Sequence, residues 1–290
     1  MISDLFRTML DPRLLRSFAA IVDTGSFTLA AQRLAMTQST ISQQLARLED
    51  GLGVVLVDRA ARPIKATPAG ERLLGYARRI LALQEEAQAA LGDPAGTAPI
   101  RIGVPEDIAG SEMAQVFHDF TRRHREVHLD VTAGLSRDLT RAYRAGEFDI
   151  LVAKEPAASP DCRATFPEAL AWFESAGAED WPNPVPLVTF PPGGLYRDAM
   201  FERIESERLR WYIAFSGSSL HNVLVAVEAG LGLSLLPRAA AARYRVRPYE
   251  RFPDEPAIAV SIYAWENTGL VAELVEGIRA VLADRQARFG

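Results

Sequence analysis

A chain of 290 residues, 48% hydrophobic and 24% charged, is long enough for two domains and apolar enough to bury a core in each. It holds no apolar run of the ~18 residues that a membrane span needs. Its start, MISDLFRTML, lacks the basic region and apolar core of an export signal, and Cys162 has no second cysteine to pair with, so the cytoplasm is the expected compartment. The net charge of −5 is unevenly placed. Residues 1–92 carry 11 Lys+Arg against 9 Asp+Glu, a balance of +2, and the remainder 21 against 28, a balance of −7. The mildly basic amino-terminal part is where a polyanionic partner is to be sought.

Asp11-Pro12 supplies a capping side chain and a proline for a first helical turn. Leu14, Leu15, Phe18, Ala19 and Val22 continue with helical spacing until Gly25. Ser26 caps a second helix, Phe27 to Leu34, whose small Ala30 and Ala31 permit close approach. Thr37 caps a third, from Gln38 to about Asp50, and Gly51 and Gly53 then break the chain. Two short helices joined by so tight a turn form a helix-turn-helix. The third helix turns Ile41, Leu45 and Leu48 inward and presents Gln38, Ser39, Thr40, Ser42, Gln43 and Gln44. A merely solvated face more often uses Lys, Glu and Ala. Amides and hydroxyls can instead read base edges in a major groove, Gln bidentately on adenine and Ser or Thr on base or phosphate. Solvation is the alternative for this face. Ser26, Thr28, Thr37, Arg33 and Arg47 are candidate phosphate contacts beside it, although either arginine could equally serve a surface ion pair.

Val54 to Arg59 and Ile64 to Thr67 read as a hairpin with Arg59, Arg62 and Lys65 around its tip. These cations either reach a minor groove or phosphate, or decorate an ordinary charged hairpin. Thr67-Pro68 opens a long helix reaching about Leu91. Its Leu73, Tyr76 or Ala77, Ile80, Leu83 or Gln84, Ala87 and Leu91 recur near every 3.5 residues, which predicts a seam for a second copy of the chain. Residues 92–99, GDPAGTAP, form a linker.

Beyond it strands alternate with helices: strands at 100–104, 127–133, 148–153, 186–190, 211–215, 233–237 and 257–265, and helices at 111–124, 136–145, 196–207, 219–229 and 270–288. This alternation implies parallel sheets with crossovers, arranged as two α/β lobes around a cleft. Lobe I takes about 100–167 and 257–290, and lobe II about 168–256. Ligands in such folds sit at the carboxyl ends of strands, where helix amino termini also point.

Taken together, residues 11–91 resemble the amino-terminal domain of the LysR-type transcriptional regulators. The likeness is carried by Leu14–Phe18, by GSFTLAAQRLAMTQSTISQQLARLEDGLG (25–53), by Leu56–Arg59 and by ATPAGERLL (66–74). PVPLVTFPPGGLYRD (184–198) and AVEAGLGLSLLP (226–237) resemble the subgroup that includes the HexA, PecT and LrhA regulators. Across 155–183 the likeness is looser. The resemblance implies a winged helix-turn-helix domain (1–67), a dimerising linker helix (68–91), a hinge linker (92–99) and a periplasmic-binding-protein-like effector domain (100–290). It also implies dimers pairing into a homotetramer on double-stranded promoter DNA, with RNA polymerase as a further partner and no membrane. A small-molecule co-inducer, with no cofactor, would bind between the lobes. Pro105, Glu106, Asp107, Ser136, Phe190, Pro191, Tyr196, Ser216, Gly217, Ser218 and Ser219 would line that cleft, with His221 near. Glu106 and Asp107 would repel a carboxylate there unless Lys154 or Arg197 neutralises them.

No catalytic set emerges. His118, His124 and His128 fall on a helix, its end and a strand, a poor basis for metal ligation. GLGLS (230–234) precedes a strand where a dinucleotide loop must follow one. The expected function is sequence-specific DNA binding modulated by a small effector. The alternatives are the same architecture governed by concentration or a partner protein, and a solute-binding protein.

Overall fold

The computed structural model describes residues 10–92, 99–178, 181–253 and 255–289, which fall into two compact units. Of the expected linker 92–99, Gly92 ends a helix and Pro99 begins a strand, while residues 93–98 and the side chain of Leu91 lie outside the described residues.

The amino-terminal unit is built from α1 (Pro12–Thr24), α2 (Phe27–Arg33), α3 (Gln38–Leu52), a hairpin of β1 (Val57–Asp58) and β2 (Lys65–Ala66), and α4 (Pro68–Gly92). Asp11 accepts a 2.8 Å bond from the Arg13 amide, and Gly25 ends α1 in the left-handed region at φ 62°. Gly51 does not break α3, which runs two residues further, to Leu52, and is capped by Gly53, φ 67°. The strands are shorter than the expected 54–59 and 64–67 because neighbouring backbone bonds go elsewhere. The Leu56 amide donates to Glu49 Oε1 of α3 (2.8 Å), and the Leu56 carbonyl accepts from the Thr67 amide (2.9 Å) at the cap of α4. Gly70 lets α4 close on this strand: a Cβ there would stand 2.0 Å from the Leu56 carbonyl oxygen. Leu15, Phe18, Ile21, Ile41, Leu45 and Leu48 form the core, completed by Leu74 and Ala77 from α4.

The second unit contains β3 (Pro99–Pro105), α5 (Ser111–Arg123), β4 (His128–Gly134), the start of α6 (Ser136–Arg144, whose residues from Arg141 on are grouped with the first unit), β5 (Ile150–Glu155) and β6 (Ala164–Ser175). Then follow β7 (Val185–Thr189), α7 (Leu195–Ser206), β8 (Trp211–Ser216), α8 (Leu220–Glu228), β9 (Ser234–Pro237) and α9 (Arg238–Ala241). Last come β10 (Val246–Pro248), β11 (Glu255–Ala264) and α10 (Gly269–Phe289). Seven strands share one mixed sheet in the order β10-β6-β11-β5-β3-β4, with β9 pairing β6, while β7 and β8 pair in parallel on their own.

Two departures from the sequence reading matter. Residues 164–175, to which the sequence reading assigned no element, form the long strand β6. Its Pro167 and Glu168 break any alternating pattern. Pro167 is nonetheless tolerated, because at that level only β11 pairs with β6; β9 and β10 join from Leu170 onward. Moreover, β9 does not continue a separate second sheet. Leu233, the residue before it, bonds to β7 (Val188 N to Leu233 O, 2.8 Å; Leu233 N to Pro186 O, 3.0 Å), but β9 itself pairs antiparallel with β6.

Two hydrophobic clusters result. One gathers Ile102, Val104, Ile150, Val152, Ile262, Phe120 and Ile278; the other Leu187, Val188, Met200, Val223, Val227 and Leu235. The strands β6 and β11 run through both. Phe166 and Val260 pack in the first cluster, Leu170 and Ile258 in the second.

Candidate nucleic-acid interface and ligand cleft

The apolar stripe of α3 is inaccessible to solvent, with Ile41, Leu45 and Leu48 all at 0% exposure. Burying three such side chains clamps α3 against α1 and α2 and leaves its other side in water. That side carries Gln38, Ser39, Gln43 and Arg47, all exposed, with Thr40 and Ser42 half-buried at its edges. Thr37 caps the helix through its hydroxyl, which accepts from the Thr40 amide (3.1 Å) and bonds the hydroxyls of Ser39 and Thr40 at 2.8 Å each. The amino terminus of α3, with its partial positive charge, is therefore a surface of hydroxyls and amides. Ser26 caps α2, and Thr28 of α2 approaches Gln38 Oε1 at 3.5 Å, so these belong to the same patch.

Gln44 does not. Its carbonyl oxygen accepts the hydroxyl of Ser17, a residue of α1 with no solvent exposure, so its amide is part of the joint between helices. The wing cations are also engaged. Arg59 pairs with Glu49 at 3.0 Å and lies over the Phe27 ring at 5.7 Å. Arg62 curls onto the carbonyls of Arg59 (2.8 Å) and Ala61 (2.9 Å). Lys65 is exposed. Arg33 pairs with Asp23 at 3.3 Å, the surface ion pair left open for it. The hairpin is tied to the helices where the Ile64 amide donates to the Gly25 carbonyl (3.0 Å), and a Cβ on Gly25 would meet Pro63 Cβ at 2.6 Å.

In the second unit the carboxyl ends of β3 and β5 converge. Asp107 just beyond β3, Lys154 near the end of β5, Glu168 in β6 and Arg285 in α10 form a closed ionic tetrad. Lys154 Nζ lies 2.6 Å from both Asp107 Oδ2 and Glu168 Oε2. Arg285 reaches the same two carboxylates at 2.6 and 2.9 Å. Lys154 and Glu168 side chains are only 4% and 6% exposed. Burial works against charge at all of these sites. At Asp107 the attraction of Lys154 and Arg285 overcomes it and holds the carboxyl below its usual range. At Lys154 burial is likewise overcome, by Asp107, Tyr196 and Glu168, and the ammonium is held well above its ordinary value. The buried Tyr196 hydroxyl is pushed up by desolvation, against the pull of Lys154.

Two positive and two negative charges thus cancel, and Asp107 cannot repel a ligand as a free carboxylate would. Arg197, the other expected neutraliser, instead donates to the Phe190 carbonyl (2.6 Å) and stacks over Phe201 at 4.7 Å. Ser136 Oγ accepts from the Lys154 amide at 2.9 Å, beside the tetrad. Ser219 caps α8 on the Asn222 amide (3.2 Å), while the Gly217 amide is held by the Thr189 carbonyl (3.0 Å). Ser216 and Ser218 are exposed, as is Glu106, whereas Pro105 and Phe190 are buried and Pro191 half-buried.

Glu168 and Arg285 escape a linear reading because only the fold brings them to Asp107 and Lys154. A faint signal exists. Leu274, Ile278 and Leu282 mark the buried face of α10, and Arg285 is its next position; Glu168 is a charge inside an otherwise apolar stretch.

The imidazoles serve separate carboxylates, His118 on Asp119 at 3.2 Å and His124 on Glu273 at 3.0 Å. Among the described residues no helix is long and apolar enough to cross a membrane.

Two family profiles match the chain. Residues 12–71 match the bacterial regulatory helix-turn-helix protein, lysR family, and residues 95–282 the LysR substrate binding domain. The HTH-type transcriptional regulator DgdR of Burkholderia cepacia is 30% identical over 274 residues, covering 93% of each chain. The regulator PecT of Dickeya dadantii is 30% identical over 229 residues, 78% of this chain and 72% of that one. The fold is similar to full-length LysG from Corynebacterium glutamicum with bound effector Arg, with a TM-score of 0.59, 22% identity, and coverage of 94% of this chain and 98% of that one.

Proposed function

The chain belongs to the LysR family of bacterial helix-turn-helix regulators, and on that footing we propose how its parts are used. It is a DNA-binding transcriptional regulator with an effector-binding domain, not an enzyme. The single observation that carries the reading of the interface is α3, buried to 0% along one stripe and covered with amides and hydroxyls along the other. In this proposal Gln38, Ser39, Thr40, Ser42 and Gln43 read bases in the major groove. Ser26, Thr28, Thr37 and Arg47 hold the phosphates, and Lys65 supplies the wing's available charge. Arg59 and Arg62 can join only by leaving Glu49 and their own turn.

Tyr76 and Leu83 are large apolar side chains left 59% and 43% exposed on α4. They support homodimerisation through the linker helix, with dimers pairing into tetramers on promoter DNA in the cytoplasm and RNA polymerase as a further partner. The residue divisions at 67, 91 and 99 and the lobe boundary near 167 and 257 are part of the same proposal, supported by the span of α4 and by the two hydrophobic clusters. Membership of the PecT-like subgroup is supported by PecT's 30% identity, the same figure as DgdR's.

The effector is proposed to bind at the carboxyl ends of β3 and β5, against Glu106, Ser136, Pro191, Tyr196, Ser216 and Ser218. It acts by binding one arrangement of the effector domain better than another. A second reading, control by concentration or a partner protein without an inducer, is favoured by one observation: the charges at the base of this cleft already satisfy one another. Gel shifts on the protein's own upstream region test the DNA reading. Binding should prefer that sequence over bulk DNA and weaken steeply with salt. Equal affinity for bulk DNA would refute it. A thermal-shift screen of metabolites on the full chain separates the two effector readings, since any ligand that raises the melting temperature and whose effect is lost in Ser136→Ala supports the cleft.

A further inference from the structure

The ion pair between Glu49 and Arg59 crosses from α3 to the wing, and its two ends are not alike. The Arg59 side chain is 49% exposed, and one contact of 3.0 Å joins its Nη2 to Glu49 Oε2. The Glu49 side chain is largely enclosed, at 12%. Its other oxygen, Oε1, accepts the Leu56 amide at 2.8 Å, so the carboxylate is fixed in place whether or not Arg59 is there. The Phe27 ring, 5.7 Å from the guanidinium, adds a second hold. Phe27 stands between Ser26 and Thr28, both assigned to phosphate above. The guanidinium therefore sits beside the surface assigned to DNA, while its charge is answered from within the protein.

A carboxylate and a phosphate offer a guanidinium the same kind of partner, two oxygens sharing negative charge. Glu49 thus occupies on Arg59 the place that a DNA phosphate would take. The other wing cations are not opposed in this way. Arg62 is held by the neutral carbonyls of Arg59 and Ala61, and Lys65 is exposed; neither has a carboxylate within ion-pair distance among the described residues.

We propose that Glu49 is an internal competitor of DNA for Arg59, and that promoter binding transfers the guanidinium from Glu49 Oε2 to a backbone phosphate. This rests on the DNA reading above. A fully exposed pair would be a weak competitor. Glu49 is a stronger one, because the departure of Arg59 leaves a mostly enclosed carboxylate with the Leu56 amide as its remaining partner. Every sequence that draws Arg59 away meets the same opposition. Glu49 therefore lowers affinity and leaves base preference to α3.

Glu49→Gln is the informative change. Its amide oxygen still accepts from the Leu56 amide, while the end facing Arg59 loses its charge. In competition gel shifts of the full chain on its own upstream region, this variant should bind about threefold tighter for each bound subunit, and so about tenfold for a dimer. Its preference among site variants should be unchanged. Asp50→Asn removes an exposed charge from the next position on α3 and should gain less, since it reports only the general relief of repulsion. Arg59→Gln should weaken binding, and Glu49→Gln added to it should gain no more than Asp50→Asn does. Arg59→Gln should also flatten the salt dependence, by up to about one counterion per subunit.

The proposal is overturned if Glu49→Gln gains no more than Asp50→Asn, or if its gain survives in the Arg59→Gln background. An unchanged salt slope in Arg59→Gln overturns it as well, whether or not Glu49→Gln folds, because Arg59 then never reaches a phosphate. A parent chain that binds no DNA defeats both this proposal and the DNA reading. A parent that prefers its site, with variants that fail these comparisons, defeats this proposal alone.

Discussion

Lys154 Nζ lies 2.6 Å from Glu168 Oε2, with both side chains nearly closed to solvent, and each reaches Asp107 or Arg285 on the other side. The tetrad links β5, β6, α10 and the end of β3 through hydrogen-bonded ion pairs. Removing one member strands its partners. Lys154→Met should therefore destabilise the protein by about 3–5 kcal/mol, the usual cost of leaving a buried charge unpaired. Lys154→Met combined with Glu168→Gln should cost less than the two single changes added together. Urea unfolding of the three variants checks this, and additive losses would mean the groups are not coupled.

The same tetrad sets an acid limit. Asp107 is held below its ordinary value in the folded state, against burial, by Lys154 and Arg285. A carboxyl of this kind contributes stability above its unfolded pKa of about 3.9, and that contribution is lost as pH falls through its lower folded value. Lys154 is raised, so its contribution is complete below about pH 10.4 and disappears only as pH climbs toward its folded value. Unfolding free energy should therefore fall below about pH 4. Asp107→Asn should flatten that part of the curve while lowering the plateau at neutral pH.

Gln43 and Gln44 are neighbours in sequence with opposite assignments. Gln43→Ala should leave stability unchanged and relax base preference at one operator position, by about 1–3 kcal/mol if the contact is bidentate. Gln44→Ala should do the reverse. It leaves the buried Ser17 hydroxyl without its acceptor, costing about 1–3 kcal/mol of stability, and keeps base preference. Denaturation paired with competition gel shifts decides the matter, and identical behaviour of the two variants would refute the assignment.

Tyr76 and Leu83 should matter only between copies of the chain. Tyr76→Glu/Leu83→Glu places charge in a seam that a second copy would bury, so sedimentation equilibrium should register a shift toward monomer. The unfolding midpoint measured at protomer concentrations below the dimer dissociation constant should be unaltered, because both side chains are exposed in the single chain.

Cys162 should be a slow thiol. Burial raises its pKa, and Glu155 and Asp161 raise it further, so less thiolate is present at neutral pH. Its reaction with a disulfide reagent should be slower than that of free cysteine, and peroxide should leave DNA binding intact. With one cysteine in the chain, no internal disulfide can act as a switch.

The local features were legible without coordinates because their signals are local. The caps Asp11, Ser26 and Thr37, the stripe of Ile41, Leu45 and Leu48, and the α/β alternation after residue 99 all repeat within a few residues along the chain. Hydrogen-bond spacing and side-chain period are short-range properties, so α3 and its polar outward face were determined by sequence alone. What the tertiary structure decided lies between distant residues. It turned Gln44 toward Ser17, folded Arg59 onto Glu49, and stretched 164–175 into a strand because β11, β9 and β10 happened to pair along it. It also brought Asp107, Lys154, Glu168 and Arg285 together. Pairing over such separations depends on where whole elements pack, and no periodicity along the chain records it.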